Sequence, residues 1–370
     1  MNIGFVTWWS FNLVMGGLER VATELGKALI ERGHHGCFVS FEKYYDSPDW
    51  MDLLVLPSSH KPGGAANYQA LRDFFVQNRV EVIVCHNAYR GSVGQLLHRI
   101  AQEIGAKLVF VLHTTPDYFL KKSAPPGLIG TAVRAIRYRK RRRPWRRLYD
   151  ECDAFVLLSD RYRDLFVEIA GLTDDSKLHA IANANRYPSH TAVDPSVKER
   201  VVLYVGRLSE EKGITDLVRV WQQVSSAHPD WRIAFVGDGP CRRVLEQADL
   251  PRCAIEGIQD PERYYTTARI LVMASKYEGW GMTVTEAMQH AVVPVIYDSY
   301  GAAEEILDKG RAGSLITPGD REALARELDR LMSDEESLRS MSRHAAEYVH
   351  RFDLDRIATE WEQLLSELLR

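Results

Sequence analysis

Residues 270–289 read Ile270-Leu271-Val272-Met273-Ala274, then Ser275-Lys276-Tyr277-Glu278-Gly279-Trp280-Gly281, then Met282-Thr283-Val284-Thr285-Glu286-Ala287-Met288-Gln289. A short apolar run passes through a glycine-loosened loop into a helix-forming stretch. A strand buried on both faces and followed at once by a helix is the building unit of a parallel α/β sheet. Two carboxylates, Glu278 and Glu286, bracket the turn. Glu278 and the backbone N–H groups of Gly279, Trp280, Gly281 and Met282 can face one ligand, and Glu286, a helical turn further on, can reach a second part of it. The helix N-terminus favours negative charge beside it, with Thr283 near a phosphate. A ligand with hydroxyls at both ends and an anion between them, a nucleotide sugar, fits this pattern. Taken alone, the two glutamates would also suit a surface position and a helix cap.

Val201-Val202-Leu203-Tyr204-Val205 has the same character. It leads into Gly206-Arg207-Leu208-Ser209-Glu210-Glu211-Lys212-Gly213 and then a helix-like stretch from Ile214 to Val224. A guanidinium fork at Arg207 and an ammonium at Lys212, carried on one strand-to-helix turn, can bind a diphosphate; solvated turn charges would look the same. Near the chain start, Ile3–Thr7 is followed by Gly16-Gly17 and a helix from about Leu18 to Glu31. The paired glycines let backbone approach a ligand, and the helix behind them suits a phosphate, although a flexible turn uses Gly-Gly too. Trp8, Trp9 and Phe11 read first as packing and second as a platform for an acceptor sugar or lipid.

Apolar runs of this kind recur with helical stretches between them. Ile3–Thr7, Cys37–Phe41, Leu53–Leu56, Val80–His86, Lys107–His113, Ala154–Ser159 and Leu178–Ala182 form one series. Val201–Val205, Arg232–Val236, Cys253–Glu256, Ile270–Ala274, Val292–Tyr297 and Ser314–Thr317 form the other. Between them, Arg186 to Lys198 carries Pro188 and Pro195 without apolar periodicity and reads as a linker. The expectation is an α/β protein of two doubly wound, Rossmann-like domains, 1–186 and 199–351, facing a central cleft. Leu354 to Leu369 is expected to be a helix with Ile357, Trp361, Leu364, Leu365 and Leu368 on one face.

The 370 residues suffice for two domains, and 45% hydrophobic with 26% charged residues is ordinary globular composition. No apolar run is long enough to span a bilayer. The start, Met1-Asn2-Ile3-Gly4-Phe5-Val6, reads as a strand and not as a signal peptide. Five scattered cysteines without a Cys-x-x-Cys pair suit a reducing cytoplasm. Metal-ligand spacing is absent from the sequence; Asp353-Leu354-Asp355 reads as capping. Gly237-Asp238-Gly239 lacks the third glycine of a dinucleotide fingerprint, and no P-loop is present, which argues against NAD and against P-loop chemistry.

Taken in order, Gly16-Gly17-Leu18-Glu19-Arg20, Gly206-Arg207-Leu208-Ser209-Glu210-Glu211-Lys212-Gly213, Val236-Gly237-Asp238-Gly239-Pro240, the E-x7-E element Glu278 to Glu286 and Val292-Val293-Pro294-Val295-Ile296 resemble a retaining glycosyltransferase of family 4 with the GT-B fold. The resemblance covers nearly the whole chain. It implies that the last helix, about 352–370, crosses back onto the first domain, which binds the acceptor. It implies a hexosyltransferase that moves a sugar from a nucleotide-diphosphate donor, UDP favoured over GDP, without metal or cofactor. Arg207 and Lys212 would bind the diphosphate, Glu278 the donor sugar and Glu286 the ribose. Gly16, Gly17 and Gly237 would approach the donor, and Ile258 would meet the base through its backbone. His113, at the end of Val109–Leu112, matches a histidine near the donor sugar and the scissile bond and ranks above His86. Alternatives within the fold are a nucleotide-sugar epimerase, a soluble-acceptor synthase or a non-catalytic nucleotide-sugar-binding protein.

Charge is uneven. Residues 1–185 hold 24 Lys and Arg against 19 Asp and Glu, whereas 186–370 hold 23 against 31. Much of the excess is one run: Arg134, Arg137, Arg139, Lys140, Arg141, Arg142, Arg143, Arg146 and Arg147, interleaved with Tyr138, Pro144 and Trp145. With Leu128, Ile129, Ala132, Val133 and Ile136 upstream, it reads as a peripheral anchor to an anionic membrane surface, against a solvated helix face or a nucleic-acid patch. The natural setting is assembly of a surface polysaccharide, lipopolysaccharide or glycolipid, with a glycan or lipid-linked acceptor and no nucleic-acid partner.

Overall fold

A computed structural model describes residues 1–11, 17–43, 46–87, 92–118, 127–187 and 197–370; the side chains of 127–132, 134, 135, 137–139 and 141 lie outside the description. Two parallel sheets account for all thirteen apolar runs. The first holds β1 (Asn2–Trp9), β2 (His35–Glu42), β3 (Asp52–Val55), β4 (Val82–Cys85), β5 (Lys107–Leu112), β6 (Ala154–Leu157) and β7 (Leu178–Ala180), in the order β3-β2-β1-β4-β5-β6-β7. The second holds β8 (Val201–Val205), β9 (Arg232–Val236), β10 (Cys253–Gly257), β11 (Ile270–Met273), β12 (Val293–Tyr297) and β13 (Ser314–Ile316), in the order β10-β9-β8-β11-β12-β13. Central strands such as β4, β11 and β12 are buried at every position. That is why they carry unbroken Val, Ile and Leu instead of alternation. The edge strands β3 and β10 are only partly covered.

In each sheet the strand order reverses once beside the first strand: between β1 and β4, and between β8 and β11. At such a point two adjacent strands send their following helices to opposite faces, leaving a gap at their carboxyl ends where ligands settle. The Arg207–Lys212 turn follows β8 and the Glu278 loop follows β11, so the two segments singled out in the sequence flank the reversal in the second sheet.

The chain divides into one compact unit of Met1–Ala184 with Leu354–Arg370, and another of Asn185–Asp353. The last helix, Leu354–Leu368, thus packs with the first unit. Its Ile357, Trp361, Leu364 and Leu365 join a core with Ile3, Phe5, Leu25 and Leu29, and its Asp355 and Glu362 carboxylates bind Arg32. The other core gathers Val202, Tyr204, Trp221, Phe235, Val272 and Val295. Asn185 is tied into the second unit: its side-chain amide donates to the Val349 carbonyl at 2.9 Å.

Candidate active site

In the second unit the turn after β8 and the loop after β11 meet. Lys212 Nζ lies 2.5 Å from Glu278 Oε1. The pair is largely but not fully covered, with Lys212 28% and Glu278 15% exposed. Gly213 makes the approach possible. Its φ is +73°, and a Cβ there would stand 2.1 Å from the Ala274 carbonyl oxygen. The Lys276 amide also donates to the Glu211 carbonyl at 2.8 Å. Backbone therefore abuts backbone, and the ammonium is fixed at the end of β11. Arg207 projects outward, 66% exposed, 3.8 Å from Glu211. Each cation stands beside a carboxylate, Lys212 by Glu278 and Arg207 by Glu211, so an incoming anion would share or displace those partners.

The helix Met282–Gln289 begins beside them, and no side chain caps it. Its amide dipoles favour negative charge at this end. Trp280 is buried at 2% exposure and packs edge-on against Phe352 at 5.1 Å, so its indole belongs to the core and its backbone is the part near the site. The Thr283 hydroxyl points at the Met273 sulfur, 3.8 Å away. Glu286, 3% exposed, accepts a hydrogen bond from the Tyr265 hydroxyl at 3.1 Å. Tyr265 stacks on His290, whose ring bonds back to the Glu286 carbonyl at 2.9 Å. The sequence held no sign of Tyr265: the contact spans 21 residues, and an aromatic in a Tyr-Tyr pair reads as packing.

Gly237 has a reason of its own. With φ at +136°, a Cβ would lie 1.9 Å from the Gly206 carbonyl oxygen, so the two loops pack backbone to backbone there. Ile258 is 70% exposed, an unusual setting for a large aliphatic residue. Gly17 opens the helix Gly17–Glu31, and no atom of the described residues stands within 4 Å of where a Cβ would be. Gly16 lies outside the described residues.

In the first unit, His86 and His113 leave the carboxyl ends of β4 and β5, which are adjacent strands. Their rings share a hydrogen bond of 2.7 Å between His86 Nδ1 and His113 Nε2. Burial pushes the His113 imidazole down to about 4. Burial first, and the neighbouring His113 second, hold His86 well below its ordinary value. Both rings are therefore neutral near pH 7. Each keeps one nitrogen, His113 Nδ1 and His86 Nε2, with no hydrogen-bond partner among the described residues. His86 is thus part of the same feature as His113, not its lesser alternative. Phe11 is fully buried against Phe38, Trp8 stacks on Phe41, and Trp9 donates to Glu42 at 3.0 Å.

The basic run lies on the helix Gly127–Glu151. Lys140, Arg142, Arg143, Arg146 and Arg147 are exposed, and the side chains of Arg137, Arg139 and Arg141 lie outside the described residues. Trp145 is a correction. Placed at a membrane surface by its basic neighbours, it is 2% exposed and meets Phe155 and Phe166 edge-on at 6.4 and 5.8 Å. The helical period turns it inward while residues on either side face solvent. Arg146 and Arg147 are also engaged, with Asp150 at 3.6 Å and Glu151 at 2.5 Å. Among the described residues no helix is long and apolar enough to cross a membrane.

Residues 16–184 match the family model "Glycosyl transferase 4-like domain" and residues 188–348 match "Glycosyl transferases group 1". An exopolysaccharide phosphotransferase of Streptomyces coelicolor is 30% identical over 59% of this chain; the chain spans only 24% of that relative's length. Sucrose-phosphate synthase of Thermosynechococcus elongatus superposes with a TM-score of 0.77 at 19% identity, over 99% of this chain and 98% of that one. The Anabaena protein HepE, solved with UDP, superposes with a TM-score of 0.76 at 18% identity, over 99% and 100%. Two glycosyltransferase models in tandem, on a fold shared along its whole length with GT-B structures, establish that the chain belongs to the family 4 type of GT-B glycosyltransferases and is a transferase enzyme.

Proposed function

We propose that this glycosyltransferase moves a hexose from UDP to a glycan or lipid-linked acceptor in surface polysaccharide, lipopolysaccharide or glycolipid assembly, with retention of anomeric configuration and without a metal. The observation that carries the proposal is the Lys212–Glu278 pair beside the uncapped start of Met282–Gln289. Lys212, Arg207 and the amide dipoles bind the diphosphate, Glu278 the sugar hydroxyls and Glu286 the ribose. As the bond from the sugar C1 to the diphosphate oxygen breaks, negative charge grows on the diphosphate where cations already stand. The acceptor oxygen bonds to C1 on the same face, and its proton passes to the departing phosphate oxygen. His113, held neutral, offers a hydrogen bond to the sugar and not a charge. Ile258 and Gly237 complete the nucleotide side, and Gly16 and Gly17 keep the donor role that the resemblance implies.

The enzyme works at the inner face of the membrane, where exposed Lys140, Arg142 and Arg143 meet anionic lipid. Co-sedimentation with anionic vesicles falls when these three are changed to glutamine, and unchanged binding removes that part. The test of the reaction is transfer from radiolabelled UDP-sugars to lipid-linked acceptors, with the product's anomeric coupling read by NMR. Retained configuration and turnover that persists in EDTA are expected. An inverted product, a trapped glycosyl-enzyme adduct, or turnover abolished by EDTA and restored by a divalent cation would each refute the step concerned.

A further inference from the structure

One cavity has no part in the donor chemistry. It encloses about 430 Å³ within the first unit, between the loop after β3 and the starts of the helices Ala65–Gln77 and Val93–Ile104. His60, Lys61, Tyr68, Ser92, Gln95 and Arg99 line it, and none of the lining residues among those described is acidic. Neither Lys61 nor Arg99 has a carboxylate within ion-pair distance among the described residues. Glu103, which feels the Arg99 charge, is occupied: it takes the Tyr68 hydroxyl and, at 2.5 Å, the Arg72 guanidinium. Arg99 is held over the Tyr68 ring at 4.1 Å, a stacking contact that fixes a cation without neutralising it.

The loop that carries Lys61 is built, not loose. The fully buried Asn67 amide accepts from the Ser58 N–H at 3.0 Å and donates to the Ser58 and Pro62 carbonyls at 2.6 and 3.1 Å. No side chain caps either of the two helices that start at the cavity rim, so their dipoles reinforce the two cations. The cavity opens at the carboxyl ends of β3 and β4, the same edge of the sheet that carries His86 and His113. Its volume exceeds that of a bare anion and suits a sugar bearing one.

The geometry points to a subsite for an anionic sugar of the acceptor, with Lys61 and Arg99 binding its phosphate ester or carboxylate. This rests on the proposed function, with the acceptor bound by the first unit as the family resemblance implies. It is tested on the full chain by calorimetric titration with inorganic phosphate, glucuronate and glucose, each in the presence of excess UDP to fill the donor side. At least one anion is expected to bind, and neutral glucose more weakly. The Lys61→Ala/Arg99→Gln double variant should lose at least tenfold in that affinity with its thermal midpoint and UDP affinity unchanged, and Lys61→Arg should restore part of it. Loss confined to phosphate assigns a phosphorylated acceptor; loss confined to glucuronate assigns an acidic sugar. The inference is overturned if neither anion binds, if glucose binds as tightly as the anions, or if the double variant binds them like wild type. Absence of UDP binding would instead count against the donor reading and leaves the anion arms interpretable.

Discussion

Tyr265 is the residue whose role is most exposed to test. Its hydroxyl donates a hydrogen bond to the buried Glu286 carboxylate, and one such bond is worth about 0.5–1.5 kcal/mol. With Glu286 on the ribose, as proposed, Tyr265→Phe should raise the donor KM by roughly two- to tenfold while changing kcat little, because such a contact is made equally in ground and transition states. Initial-rate kinetics on the variant decide it; an unchanged KM would detach Glu286 from the donor. The histidine pair makes a second prediction. Its folded-state values lie below 6.5, with His113 at about 4. Between these limits the unfolded chain binds protons that the folded chain refuses, so stability is full above pH 6.5 and is lost as pH falls toward 4. The slope is up to about 1.4 kcal/mol per pH unit for each ring. Urea midpoints between pH 7 and 4.5 should fall less steeply in His86→Phe than in wild type, and equal slopes would contradict the burial of His86.

At the scale of elements, Trp145 separates two accounts of the basic helix. Buried among aromatic neighbours, it should cost about 3–5 kcal/mol when changed to Ala, read as a lowered denaturant midpoint. A midpoint within error of wild type would return the indole to the surface. Strands, by contrast, were legible from composition alone. The runs Val82–Cys85 and Ile270–Met273 are apolar at each position because both faces are covered. The two turns with Arg207, Lys212 and Glu278 were legible from their place after strands. Their union was not, since Lys212 and Glu278 are 66 positions apart and only the strand order makes β8 and β11 neighbours. Trp145 misled for a local reason: a dense run of arginines hid a helical period with one inward position. Gly237, assigned to the donor from the sequence, also has a packing partner in Gly206, which no single sequence reveals.

At the scale of the whole molecule, the chain closes on itself: its last helix completes the core that its first strand begins. Ending the chain at Asp353 would uncover the apolar faces packed against Ile357, Trp361, Leu364 and Leu365 and free Arg32 from its two carboxylates. Hydrogen-exchange mass spectrometry should then show lost protection in β1 and Gly17–Glu31, with β8 to β13 still protected; uniform protection would contradict the shared core. The proposed binding of a nucleotide diphosphate by the second unit rests on Lys212, on the turn after β8. Its most direct test is calorimetric titration of wild type and Lys212→Ala with UDP, GDP and uridine. A diphosphate should bind wild type, and do so at least tenfold more weakly in the variant, with uridine no different between the two. Equal diphosphate affinity in both proteins would contradict it.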